Sequence, residues 1–419
     1  MNRRVVITGL GSVCPVGNDM PTTWRNLVDG KTGVDYIRRF DTEGFKVPIA
    51  AEVRDFEPEA QIAPKTLKHM DLNVQYAVIC ALEALGDSGL AVDEDNRHRI
   101  GVIFGSGGGG LETVLKWHDV LKEKGPRRLS PFFMSNMIVD AASGHIAIAT
   151  GATGPNYSPS SACASGANAV ADAALHIRAG KADAVIAGGS EAVILPLFHG
   201  CFEAMRVLAT PAEPVSASCQ PFDLNRTGFI PGEGGAALIV EDLEHALARG
   251  AKIYAEVTGS GSGNDAYDMA QPEGSARGLV NAMRQALCEA QESASSRDSH
   301  AKVGYVNTHG TATKLGDAVE VAAVKQAFGG AANNLLVSSI KAATGHMMGA
   351  SGALEVAVAA LALHEGTIPP TLNYETPDPD CDIDCVPNEA RRVDLEASMS
   401  ISAGLGGHNA AILLEHWTE

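Results

Sequence analysis

Basic charge is short in this chain relative to acidic charge. Its 32 lysines and arginines stand against 50 aspartates and glutamates, a formal net charge of −18. A nucleic-acid partner needs a basic footprint along its phosphates, so that class is excluded. No apolar run is long enough to span a bilayer, which excludes a membrane protein of the helical kind. The N-terminal VVITGLG is too short and too broken by glycine for a signal peptide, and reads as a first buried strand entering a loop. A dense cysteine framework is missing too. The eight cysteines, at 14, 80, 163, 201, 219, 288, 381 and 385, are scattered, which points to a reducing compartment and hence the cytoplasm. Gly9-Leu10-Gly11 lacks the third glycine of a dinucleotide loop, and Ser106-Gly107-Gly108-Gly109-Gly110 lacks the Gly-Lys-Ser/Thr ending of a phosphate loop. Cys381 and Cys385 have no further thiol or imidazole close by in sequence, so neither zinc nor any other metal is expected.

What is present is duplicated. Residues 350–366, ASGALEVAVAALALHEG, match residues 164–180, ASGANAVADAALHIRAG, through the opening ASGA, an internal Ala-Ala-Leu and the closing glycine. Two further pairs agree in the same order: residues 6–12 with 256–262, and 232–241 with 404–415. Three matched segments in one order argue for two copies of one fold, divided here as 1–250 and 251–419. Short β-branched runs at 4–8, 100–105, 184–187 and 303–307 alternate with helical stretches such as 72–88 and 278–290. That alternation predicts a mostly parallel α/β sheet with helices on its faces. The polar run 291–300 has no apolar periodicity and reads as an exposed loop.

The chemistry sits in the first copy only, because Cys163 faces Gly349 in the second. Cys163 precedes an alanine-rich helix that ends on a glycine. At the first turn of such a helix, unpaired N–H groups and the helix dipole favour a thiolate. A lone cysteine there is equally compatible with a small residue packed between alanines and glycines. Two histidine motifs follow, Asn307-Thr308-His309-Gly310-Thr311-Ala312-Thr313 and Lys341-Ala342-Ala343-Thr344-Gly345-His346. Each histidine is expected at a strand end beside glycine, where a side chain projects into a cleft while the backbone packs closely.

SSACASGANA, NTHGTAT and KAATGHMMGASGALE, in this order, resemble the motifs of the condensing enzymes of fatty acid and polyketide synthesis, of the β-ketoacyl-acyl carrier protein synthase II type. The resemblance covers essentially the whole chain. It implies a thiolase-like fold, duplicated α/β halves in a five-layer αβαβα arrangement, usually as a homodimer. It implies that Cys163 takes an acyl chain as a thioester, and that the backbone N–H groups of Cys163 and Leu405 form an oxyanion hole. Neutral His309 and His346 would stabilise the enolate left when malonyl-acyl carrier protein loses CO₂. Lys341 would orient the site through Glu355, and Thr311 and Thr313 would bond the pantetheine arm. That arm belongs to the acyl carrier protein, so no separate cofactor is implied.

The family often carries GFGG where this chain has Gly404-Leu405-Gly406-Gly407, so the aromatic gate lacks its ring. Gly108, assigned with Phe202 to the acyl pocket, stands where elongating enzymes often have a larger residue, and its smallness implies room for longer or more rigid chains. Both departures keep a type II polyketide or polyene ketosynthase open as the alternative. A non-catalytic chain-length partner is disfavoured because the nucleophile is retained. Lys65, Lys68, Arg127, Arg128 and Arg206 are candidates for docking the acidic carrier protein; as isolated basic islands they also fit plain solvated faces. A partner subunit, identical or similar, is expected.

Overall fold

The computed structural model describes residues 3–293 and 302–417. Ten strands form one mixed sheet. In chain order they are β1 (Val5–Val13), β2 (Ile100–Gly105), β3 (Asn156–Tyr157), β4 (Ala184–Glu191), β5 (Gly234–Asp242), β6 (Ala255–Asn264), β7 (Val303–Asn307), β8 (Leu336–Ser338), β9 (Ala397–Gly404) and β10 (His408–Glu415). Across the sheet they run β8-β7-β9-β10-β6-β1-β5-β4-β2-β3. Outward from the middle, the first five follow β1-β5-β4-β2-β3 and the last five β6-β10-β9-β7-β8, which is the same path taken twice. The seam is short, pairing Val6 with Glu256 and Ile7 with Ala255.

The expectation of a mostly parallel sheet needs correction. The central pairings are antiparallel and only those toward each edge are parallel. The reason is visible between β9 and β10, where the short turn Leu405–Gly407 returns the chain on itself instead of crossing over through a helix.

Each half-sheet is covered twice. Outside the first half lie the helices Leu72–Ser88 and Ala141–Thr150, packed on Val102, Phe104, Ile186 and Ile239. Outside the second lie Arg277–Ser293 and Lys314–Phe328, packed on Val306, Met399 and Leu413. Between the halves run Ser165–Arg178 and Ser351–Glu365, against Leu10, Val185 and Leu238 from one half and Ile412 and Leu414 from the other. This is the expected five-layer arrangement. Because the Ser351–Glu365 helix is buried on every side, its apolar residues run all round it instead of forming a stripe.

Glycine lets the layers close up. A Cβ on Gly9 or Gly11 would lie 2.2 Å from a carbonyl of the 72–88 helix, and one on Gly259 or Gly261 at 2.0 or 1.9 Å from a carbonyl of the 277–293 helix. The repeated glycines that mimic a nucleotide fingerprint therefore serve strand–helix contact in both halves. The central helices meet in the same manner, since a Cβ on Gly166 would come within 2.7 Å of Gly349 O.

Observed elements extend several of those expected: β1 runs to Val13, β4 to Glu191, and the 277–293 helix takes in the first three residues of the run read as a loop. The rest of that run, to residue 300, lies outside the described residues. Among the described residues no helix is long and apolar enough to cross a membrane.

Candidate active site

Cys163 sits in a one-turn 3₁₀ segment, Ala162–Ala164, and the α-helix begins only at Ser165. Ala162 before it has φ 52, and Met348, before the equivalent Gly349, has φ 45, so the two copies share one strained turn. The side chain is 6 % exposed. Burial pushes its thiol up to about 11, although the Leu405 N–H and the Lys341 charge pull the other way. Desolvation therefore opposes the thiolate that the helix end was expected to favour.

The structure brings both histidines to this sulfur. His346 Nε2 lies 3.2 Å from Cys163 Sγ, and the two imidazoles meet edge to face with ring centres 5.1 Å apart. One ligand atom from each of Cys163, His309 and His346 fits within 4.8 Å of the other two. His309 follows the end of β7 as expected. His346 does not follow a strand directly; it comes after the one-turn helix Lys341–Thr344 and Gly345. Burial, then the Lys341 charge, holds both imidazoles well below their usual range, so both are neutral near pH 7. Ser351 Oγ lies 3.1 Å from His346 Nδ1 and accepts from the Met347 N–H at 2.9 Å. Its own proton can therefore go to Nδ1, leaving the proton on Nε2 toward the sulfur.

Lys341 and Glu355, each 1 % exposed, form a buried ion pair, which is the acidic partner the sequence called for. A soft cation could be ligated by the cysteine and two imidazoles, but the neighbouring Lys341 charge opposes it.

Three groups escaped the sequence reading. Glu320 accepts from the N–H groups of His309 and Gly310, and burial pushes its carboxyl up to about 8. Glu191, fully buried, accepts from Gly107 and Gly108 of one half and Gly349 of the other. Ser351 is the third. None carries a local signal: Glu320 lies within a helical pattern, Glu191 ends a strand, and Ser351 opens a helix.

A tunnel of about 160 Å³ leads to this group. Thr311 and Thr313 line it, their hydroxyls 3.2 Å apart. Leu405 lines it as well, its side chain 40 % exposed and its N–H directed at the Cys163 sulfur. Phe202 lines the inner wall and stacks edge to face on Phe229, which stacks in turn on His346. Gly108 is not among the lining residues. A Cβ there would meet Leu111 Cδ1 at 2.5 Å, and Leu111 packs on the apolar cluster that includes Cys163 and Phe202. The room inferred from Gly108 is thus occupied by Leu111.

Arg206 is exposed and lies between Met205 and Val207, two tunnel residues. Lys65, Lys68, Arg127 and Arg128 are exposed, and none of the four lines the tunnel. A stack of His69 on Phe132, ring centres 4.0 Å apart, joins their two segments.

Comparison with known proteins agrees over the whole length. Residues 2–246 match the family described as "Beta-ketoacyl synthase, N-terminal domain" and residues 254–375 its C-terminal counterpart. A 3-oxoacyl-(acyl-carrier-protein) synthase 2 of Staphylococcus aureus is 44% identical over 99% of this chain and 98% of its own. The protein of that name from Coxiella burnetii is 45% identical over 98% of each. Among solved structures, the ishigamide ketosynthase/chain length factor superposes with a TM-score of 0.91 at 32% identity, covering 100% of both chains. A beta-ketoacyl synthase from Burkholderia phymatum gives 0.90 at 32% identity over 99% of this chain and 100% of that one.

Proposed function

The chain belongs to the β-ketoacyl synthase family, and from that premise we propose that it is a 3-oxoacyl-acyl carrier protein synthase of fatty acid elongation. The observation that carries the reading is a buried cysteine sulfur 3.2 Å from one neutral imidazole, with a second imidazole beside it, at the end of a tunnel. The Cys163 sulfur attacks the thioester carbonyl of acyl-acyl carrier protein. The carrier's thiol leaves with the proton given up by Cys163, and the acyl chain stays on the enzyme. Malonyl-acyl carrier protein then loses CO₂, and its enolate carbon attacks the enzyme thioester, expelling the cysteine thiolate, which takes up one proton from solvent, and leaving a β-ketoacyl chain two carbons longer on the carrier.

Charge develops on oxygen in both half-reactions. The N–H groups of Cys163 and Leu405 stabilise the tetrahedral oxyanions, and His309 and His346 donate to the enolate. A neutral imidazole suits that task because one ring nitrogen carries the donating N–H while the other accepts from a neighbour, as Ser351 can supply for His346. Lys341 with Glu355 orients the histidines, and Thr311 and Thr313 bond the pantetheine arm carried by the substrate, so the reaction needs no separate cofactor. Gly108 and Phe202 bound the acyl pocket, Gly108 through Leu111.

Carrier protein docks through Arg206 at the mouth, with Lys65, Lys68, Arg127 and Arg128. We place the enzyme in the cytoplasm as a dimer of two similar halves per chain, 1–250 and 251–419. The edge strand β3 and the exposed Met134, Ile148 and Leu175 support a partner, whether a second copy or a similar ketosynthase subunit. The polyketide alternative has as support a structural likeness to the ketosynthase solved with its type II PKS acyl-carrier protein, with a TM-score of 0.89 at 31% identity over 100% of both chains, lower in identity than the synthases.

The test is mass spectrometry of the chain incubated with acyl- and malonyl-carrier protein. Cys163→Ala should lose acyl loading. His309→Ala and His346→Ala should load but not condense. Equal loss of both half-reactions in the histidine variants would refute this division of roles, and polyketide products would favour the alternative.

A further inference from the structure

The turn that carries His309, Thr311 and Thr313 is anchored at its two ends by different groups. At its start the two Glu320 carboxyl oxygens accept from the N–H groups of His309 and Gly310. At its end the Arg226 guanidinium donates to Thr313 O at 3.1 Å and Lys314 O at 2.7 Å, and also to Asp223 O at 2.8 Å. Between these anchors the backbone is strained, with Gly310 at φ 41 and Ala312 at φ 63. A turn held in such a conformation persists only where its surroundings impose it.

Arg226 is 2 % exposed. It is neutralised by a hydrogen bond to the Asp378 carboxylate and by Asp317, whose oxygen is 3.7 Å from Nε. Asp317 is fully buried and accepts from Phe222 N at 2.8 Å. Burying a cation with two carboxylates is costly, and an apolar side chain of similar size would serve stability as well. What an apolar residue, or a lysine, cannot do is offer a planar fork of donors to two successive carbonyls.

We propose that Arg226 is a positioning residue for carrier-borne substrates: it fixes Thr313, and through the strained turn Thr311, so that both hydroxyls face the tunnel. His309 keeps its separate anchor on Glu320. The proposal rests on the reading of the two threonines as partners of the pantetheine arm. That contact is made alike in the ground and transition states, so its loss raises KM and spares kcat.

Three variants with two readouts test it. In Arg226→Lys the charge stays and the fork is lost. KM for malonyl- and acyl-carrier protein should rise about tenfold, the worth of about one positioned hydrogen bond, with kcat changed by less than about twofold. Alkylation of Cys163 by iodoacetamide, which needs no arm, should keep its rate. Thr311→Val/Thr313→Val should show the same split. If the threonine variant raises KM and Arg226→Lys does not, the Arg226 role is overturned and the arm reading stands. If the threonine variant leaves KM unchanged, the arm reading fails and this inference with it. A fall in kcat and alkylation together at unchanged KM would make Arg226 merely structural, which also overturns the proposal. Should Arg226→Lys not fold, Asp378→Asn, which removes the charge of the guanidinium's buried hydrogen-bond partner, carries the same test. A KM rise supports the proposal, and an unchanged KM overturns it.

Discussion

At the scale of single residues, the site solves a conflict between burial and reactivity. A dry pocket strengthens every hydrogen bond aimed at a developing oxyanion. The same dryness raises the Cys163 thiol to about 11, so Cys163 is protonated near pH 7 and, as the proposed nucleophile, would hand its proton on during attack. Alkylation of Cys163 by iodoacetamide should accordingly keep rising from about pH 7 toward 10, with no plateau near neutrality. A plateau already reached at pH 7 would reveal a preformed thiolate. The lowered histidines work in the opposite direction, because burial beside Lys341 keeps them neutral and able to donate. Cys163, His309, His346 and the Lys341–Glu355 pair were legible as motifs. Ser351, Glu320 and Glu191 were not, because a buried serine or carboxylate acquires its meaning from whichever N–H group or ring the fold sets against it.

At the scale of elements, the 107–108 loop of the first half and the Gly349 turn, counterpart of the Cys163 turn, are tied together by one carboxyl group. Glu191 at the end of β4 takes N–H groups from the 107–108 loop and from Gly349. The acyl pocket depends on the same loop. Since Leu111, not Gly108, fills the space beside the Cys163 cluster, Leu111→Ala should shift products toward longer chains, at a stability loss of about 2 kcal/mol. Product analysis by mass spectrometry reads the outcome, and an unchanged length distribution would show that Leu111 does not bound the pocket. Gly108→Phe must first displace Leu111, so its effect on chain length is a test of the loop as much as of the glycine.

At the scale of the whole molecule, buried acids set a pH dependence of stability. Burial raises Glu83 and Glu233 to about 7 and Glu320 to about 8, from an ordinary 4.5. The folded state then holds protons that the unfolded chain has released. That contribution is complete below pH 4.5 and is lost as pH rises through 7 to 8. The two lowered histidines have the other sign, their contribution being lost as pH falls below 6.5. Thermal unfolding midpoints should therefore fall by a few °C between about pH 6 and 9. Glu83→Gln, which removes the titrating group while its one amide oxygen still accepts from only one of the Ser12 and Met20 N–H groups, should lower the midpoint overall and flatten the slope. An equally steep slope in that variant would show that Glu83 does not contribute to it.

Duplication and the candidate nucleophile Cys163 were legible in the sequence as three segments repeated in order and a cysteine present in one copy only, and the reaction class through the resemblance of its three motifs to the condensing enzymes. The antiparallel centre of the sheet, the protonated resting thiol, the filling of the Gly108 space by Leu111 and the anchoring of the threonine turn by Arg226 were decided by tertiary structure. Each depends on what lies within a few ångströms of a group, and residues far apart in the chain supply that neighbourhood.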